Sequence, residues 1–495
     1  MRCRLHQKIQ SALQHSWCVT ATIVVLCACN AVAEETSLSE VSYFRSDLGL
    51  ADDDRFSLPV DLGNESVQLW RTELLPGHSS PCVSGDSIFL TTYDAQQQKL
   101  ATVALDRTTG QVRWTALAPV QSIEQVHPTG SPASPTPASN GRQIFVSFGS
   151  CGLLAYSLDG QLLWHRPLGP YQDEFGAASS PILVDDKVIL NEDHDIGSFM
   201  IAVDQKTGQP IWKTERPQAT RSYSTPIVLQ RGDAKQIVIA GSRQLVAYDV
   251  NTGRQLWWYD GLSRLVDSTP VIHDGLIYLA TWSPGGDADS RIAMEPFSEA
   301  CKSFDANHNE LLSREELPAG GAVLERFYRI DLNQDGSLDQ DEWARHAMVF
   351  EQSQNVAVAL EPGSSGKLSD QYVRWTYTRG LPTVPSSVVY ADTMTMVKDS
   401  GIVTVLDISK GQMLKQFRSA GRGNYYASLV AGDGKVYMAS ESGVVTILKA
   451  GPEAELLGSH DFSERIMATP VIRQGVIYLR TEKALYALAE PKSEE

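Results

Sequence analysis

The sequence predicts an all-β fold, an eight-bladed β-propeller of four-stranded antiparallel blades, with a small α-helical pair inserted in the fifth blade. Three observations carry this prediction. A Ser/Thr-Pro opening recurs along the chain, each period contains four short apolar runs, and a single period is stretched by a segment of different character. The balance of 42 basic against 59 acidic residues, a formal net charge of −17, argues against a nucleic-acid partner, because phosphate backbones are bound through Lys and Arg. The same acidity disfavours anionic membrane surfaces.

Residues 1–33 read as an address. Arg2, Arg4 and Lys8 precede the apolar run Cys18–Cys29, which is too short to span a bilayer, and Ala31-Val-Ala33 offers small residues for cleavage. This predicts an exported chain, periplasmic or in the cell envelope, beginning at Glu34 and without a membrane span. Leu26-Cys27-Ala28-Cys29 approximates a lipid-attachment site, so a lipid-anchored form is the alternative. Cys82, Cys151 and Cys301 are left, an odd number that leaves at least one thiol unpaired. Residues 34–63 form an N-terminal extension.

The repeat occupies 64–282 and 354–490, with a short tail at 491–495. Thr269-Pro-Val-Ile-His-Asp-Gly-Leu-Ile-Tyr-Leu-Ala280 and Thr469-Pro-Val-Ile-Arg-Gln-Gly-Val-Ile-Tyr-Leu-Arg480 match at eight of twelve positions. Equivalent openings stand at Ser80-Pro81, Ser134-Pro135, Ser180-Pro181, Thr225-Pro226, Ser386-Ser387 and Ala427-Ser428, eight in all. Three periods end in Asp-x-x-Thr-Gly and a strand with Trp, as in Asp249-Val-Asn-Thr-Gly253 before Trp257, and Asp159-Gly160 before Trp164 is a shorter equivalent. The Asp accepts backbone N–H bonds and the Gly supplies positive φ, so the element specifies a hairpin. A Trp that repeats with the period is expected to pack between blades. The last period lacks its Trp strand, whereas Glu65-Ser-Val-Gln-Leu-Trp-Arg-Thr-Glu73 is a Trp strand without a period; the N-terminal strand is therefore expected to complete the eighth blade and close the ring.

On these openings and the Asp-x-x-Thr-Gly-x-x-x-Trp element, the chain resembles the pyrroloquinoline-quinone-type β-propeller repeat family, which includes quinoprotein alcohol dehydrogenases and the propeller lipoprotein of outer-membrane barrel assembly. The resemblance allows either an enzyme or a binding scaffold. The enzymes typically carry an adjacent Cys-Cys pair over the quinone and often a Cys-x-x-Cys-His haem site, and neither string occurs here. A scaffold without pyrroloquinoline quinone is therefore the expectation, and a quinone-dependent dehydrogenase the alternative.

The stretched period holds residues 283–353. Asp305, Asn307, Asn309, Leu311 (through its backbone), Ser313 and Glu316 recur as Asp331, Asn333, Asp335, Ser337, Asp339 and Glu342. Oxygen ligands at this spacing, with a bidentate Glu at position 12, make the EF-hand calcium loop. The second loop fits throughout, with Gly336 at the sharp turn and Leu338 poised for contact between loops. In the first, Glu310 replaces the Gly, and weaker binding is expected there. Phe297, Cys301, Phe304, Leu324, Phe327, Tyr328, Trp343, Ala347 and Phe350 have the spacing of short helices that form the pair's own core.

Meander topology puts this insertion on the face opposite the Thr-Gly turns, beside Glu174, His194, Arg221, Asp267, Arg422, Asn424 and Arg465. These are candidate contacts for a protein partner or envelope ligand, carbohydrate included.

Overall fold

In the computed structural model, which describes residues 41–287 and 294–491, each period forms one small antiparallel sheet. The predicted signal segment, the Cys29 site and nearly all of the 491–495 tail lie outside the described residues. Blade 1 runs Cys82–Ser84, Ser87–Asp94, Lys99–Asp106, Val112–Leu117, and the remaining seven repeat that order. The two middle strands are buried almost throughout, as Ser87–Asp94 and Phe199–Asp204 illustrate, because both of their faces are covered by neighbouring blades. Outer strands such as Val112–Leu117 alternate towards solvent.

The ring closes with the N-terminal strand Gln68–Glu73, which pairs antiparallel with Ala484–Ala489 as the outer strand of blade 8. Arg480 in the same blade is buried, and donates to the carbonyls of Ser79 at 2.9 Å and Thr91 at 2.9 Å, tying blade 8 to blade 1.

A second closure runs round the channel. The backbone N–H of Ser80 donates to Thr136 Oγ1 (2.9 Å), and the same bond steps from Thr136 to Ser180 (2.9 Å), Thr225 (3.1 Å), Thr269 (3.4 Å), Ser386 (2.8 Å), Ser428 (3.0 Å) and Thr469 (2.9 Å), before returning to Ser80 (3.1 Å). All eight hydroxyl residues are buried. This circuit explains the Ser/Thr of the openings: the hydroxyl satisfies a backbone donor one blade back, and the Pro that usually follows begins the inner strand. It also corrects two openings. The residue in register in blade 2 is Thr136 before Pro137, two places beyond Ser134-Pro135, and in blade 7 it is Ser428.

The repeated Trp packs between blades. Trp70, Trp114, Trp164, Trp212 and Trp375 each donate Nε1–H to a backbone carbonyl at the turn of the next blade, at 2.7–3.1 Å. Each ring lies against that turn's Gly, so a Cβ on Gly110 would come within 2.5 Å of Trp70. Across the strand every such Trp faces an Ala, whereas Lys415 faces Val405 and Gly458 faces Ile447. The volume lost with the indole is thus partly restored by its neighbour. Trp257 also faces an Ala but bonds Gln236 Oε1 of its own blade, because blade 5 lacks the Thr-Gly turn; Gly366–Lys367 instead pairs parallel with Trp257–Trp258.

The extension is more than a leader to the closing strand. Val41–Ser42 adds to the inner strand of blade 2, Leu50 bridges to Ala431 in blade 7, and buried Arg45 donates to Leu429 O (2.9 Å) and Ser387 O (2.8 Å). Residues 41–50 therefore cross between opposite sides of the ring at its centre.

Candidate functional site

The insertion leaves blade 5 between Leu276–Thr281 and Val356–Leu360, strands that pair directly through Thr281 and Val356. The Asn355 side chain accepts from Ser283 N (3.0 Å) and donates to Ser283 O (3.1 Å), pinning the two ends together. Helices α1 (Phe297–Phe304), α2 (Ala322–Glu325), α3 (Phe327–Ile330) and α4 (Gln340–Gln352) make up the module. Its core gathers Leu312, Phe327, Ile330, Leu338 and Trp343, with Phe297, Cys301, Phe304 and Leu324 packed around them. Tyr328, expected in that core, is 51 % exposed, and the Phe350 side chain lies outside the described ones.

The two acidic loops have one hydrogen-bond plan. Asp305 accepts from the N–H groups of Asn309 and Glu310, and Asp331 from those of Asp335 and Gly336. Asn307 and Asn333 accept from the residue two ahead, as do Asn309 and Asp335. Glu316 reaches back to the N–H groups of Ala306 and Ser313, and Glu342 to those of Leu332, Asn333 and Asp339. Leu312 pairs with Leu338 and Ser313 with Ser337 as a two-residue antiparallel ladder between loops. Glu310 sits at φ +62° where Gly336 has φ +86°, so the first loop bears the left-handed strain expected of it. Among the described residues no three His, Cys, Asp or Glu side chains are gathered as a metal cluster; these carboxylates are turned onto backbone N–H groups.

The module rests on the connections of blades 3 and 4. Gln172 bonds Leu332 O, Arg345 donates to Pro217 O (3.2 Å), and Arg243 donates to Gln352 Oε1 (3.0 Å). These are blade-connecting or second-to-third-strand loops, so the insertion occupies the face opposite the Thr-Gly turns.

Beside it the channel mouth holds a cavity of about 470 Å³. Seven of the eight ring hydroxyl residues and Phe44, from the crossing segment, line it, as does Arg329 of α3. Glu174, Arg221, Asp267 and Asn424 of the predicted face also line it. Arg221 is already engaged by Glu174 and Asp195. Neither Arg465, which pairs with Glu441 at 2.6 Å, nor exposed Arg422, whose carbonyl accepts from Ser442, lines the cavity. His194 is buried behind the wall, 3.0 Å from Glu192, 3.7 Å from Asp173 and stacked on Tyr171. Burial opposes its charge, but the neighbouring carboxylates of Asp173 and Glu192 outweigh that and raise it to about 9. Burial pushes the nearby Glu124 carboxyl up to about 8, and burial with the charge of Asp173 raises Asp267 to about 7.

Sequence reasoning missed Phe44, Tyr223, Arg264 and Arg329. A periodic signal would have found some of them: in every blade the residue two places before the ring hydroxyl lines the cavity, His78, Tyr223, Asp267 and Tyr426 among them. No such period marks Arg329 or Phe44, which come from outside the repeat.

Residues 63–190 and 197–296 match the family described as outer membrane protein assembly factor BamB. Nothing among curated proteins matches the chain. Of solved structures, BamB from Moraxella catarrhalis is similar at 12% identity over 85% of this chain and 99% of its own, with a TM-score of 0.51. The quinohemoprotein alcohol dehydrogenase from Comamonas testosteroni is similar at 11% identity over 89% and 79%, TM-score 0.53. The computationally designed Ika8 protein aligns at 10% identity over 86% and 100%, TM-score 0.50. At such identities the likeness concerns the fold. With the hydroxyl circuit, the docked Trp row and the closing strand, these likenesses make the chain an eight-bladed β-propeller whose residues 63–190 and 197–296 carry BamB-like repeats.

Proposed function

We propose that the protein is an exported, calcium-binding propeller that serves as a binding scaffold, presenting the face that carries the helical insertion. The observation that carries this reading is the pair of acidic loops sharing one hydrogen-bond plan and joined through Leu312 and Leu338. Asp305, Asn307, Asn309, the Leu311 carbonyl, Ser313 and Glu316 would hold one cation, and Asp331, Asn333, Asp335, the Ser337 carbonyl, Asp339 and Glu342 the other. An all-oxygen donor set suits a hard cation such as Ca²⁺. Export rests on the basic, then apolar, then small-residue order of residues 1–33. Among the described residues no helix is long and apolar enough to cross a membrane.

The second reading is a quinone-dependent dehydrogenase, which the likeness to the Comamonas enzyme brings forward. Against it stands the absence from the sequence of an adjacent Cys pair; Cys82, Cys151 and Cys301 are free thiols. Purified protein supplied with pyrroloquinoline quinone, calcium and an artificial electron acceptor should oxidise neither alcohols nor aldoses. Quinone-dependent turnover would replace the scaffold reading with the enzymatic one.

A further inference from the structure

The walls of the mouth cavity differ in character. On the side under the insertion stand two guanidinium groups, Arg264 from the connection between blades 4 and 5 and Arg329 from α3. Arg264 donates Nε–H to Pro284 O at 2.9 Å, and among the described residues neither arginine has a carboxylate within ion-pair distance, unlike Arg221. Burial and the like charges of Arg329 and Arg221 lower Arg264 to about 10. The Nε of Arg329 is buried without a hydrogen-bond acceptor.

Asp267 and Asp399 also line the cavity, and Asp267 Oδ1 is buried with no donor. Phe175, Tyr223 and Tyr426 add aromatic surface, and the buried hydroxyl circuit adds further polar groups. A volume of about 470 Å³ lies within the range of small-molecule clefts.

Each feature asks for a different part of a ligand. Two partly buried guanidiniums with no carboxylate paired to them call for an anion, which Arg binds through paired, charge-assisted bonds. An orphaned carboxylate oxygen calls for hydroxyl donors, and aromatic faces call for a flat or apolar ring surface. Inorganic anions would leave Asp267 unsatisfied, and a neutral sugar would leave the arginines unsatisfied.

We propose that the cavity binds an acidic sugar, a pyranose unit bearing a carboxylate or a sulfate group. The anionic group lies at Arg264 and Arg329, ring hydroxyls donate to Asp267 and Asp399, and the ring packs on the aromatic side chains. This deepens the scaffold reading, on whose binding face it rests. Because Arg329 belongs to the insertion, the propeller alone has half of the anion clamp.

Calorimetry on the full chain in calcium-containing, low-salt buffer, with galacturonate, galactose 6-sulfate, galactose and inorganic sulfate as probes, tests it. At least one acidic sugar should bind with a dissociation constant below about 10 mM, and galactose and sulfate at least about tenfold more weakly. Which acidic sugar binds distinguishes carboxylate from sulfate. Arg264→Gln and Arg329→Gln should each weaken that binding by about tenfold or more, with Asp267→Asn weakening galacturonate and galactose 6-sulfate alike. Failure of both acidic sugars to bind, equal binding of galactose or sulfate, or no effect of either Arg substitution would overturn the proposal. Calcium titration of the same samples keeps the two readings apart, since loss of sugar binding with calcium binding intact sinks this inference alone.

Discussion

Deleting residues 64–74 should leave a chain that does not fold to a stable monomer. The deletion removes the outer strand of blade 8 and with it Trp70, which is 9 % exposed and donates to Arg107 O in blade 1 at 3.1 Å. Loss of a buried Trp alone costs about 3–5 kcal/mol, and a domain's whole margin is about 5–15 kcal/mol. The deletion further strips the ladder along Ala484–Ala489, leaving a sheet edge whose apolar side chains Leu485 and Leu488 are buried in the intact ring. Size-exclusion chromatography and urea denaturation should report aggregation or no cooperative transition. Trp70→Ala, a milder change, should keep the ring closed and lower stability by about 3–5 kcal/mol. A well-folded deletion monomer would show that the strand is not needed for closure.

Closure was legible because it rests on two mismatched pieces of one pattern, a period without its Trp strand and a Trp strand without its period. The Trp row was legible for the same reason: interactions that recur with the repeat leave a recurring residue. The hydroxyl circuit was visible only as a motif, since its function depends on a partner 41–389 residues away, and blade 2 misled by offering Ser134-Pro135 just before Thr136-Pro137. The crossing of residues 41–50 and the engagement of Arg221 and Arg465 by carboxylates were not readable. Each is a single tertiary contact with no period or local spacing to announce it, and a basic residue on an acidic chain looks the same whether bound or free.

Replacing residues 284–353 by a short Gly-Ser linker should leave the propeller cooperatively folded while removing all calcium binding. Thr281 and Val356 remain paired, and the Ser283–Asn355 bonds remain in place to hold the ends. The insertion's core is self-contained, built from residues between Met294 and Trp343 without any blade side chain. What the propeller forfeits is a handful of polar contacts at Gln172, Pro217 and Arg243, each worth about 0.5–1.5 kcal/mol. Circular dichroism should retain its β signal and thermal unfolding should remain a single transition. Collapse of that signal would mean that the module is integral to the ring.

The reading of the acidic loops is tested most directly by calcium calorimetry on the intact chain beside Glu342→Gln and Glu316→Gln. The intact protein should bind two ions with dissociation constants of about 10⁻⁴ to 10⁻³ M, as extracellular modules do, the tighter at the loop with Gly336. Glu342→Gln should abolish the tighter event, whereas Glu316→Gln should remove only the weaker one. No binding in the millimolar range, or loss of the tighter event in Glu316→Gln instead, would contradict it.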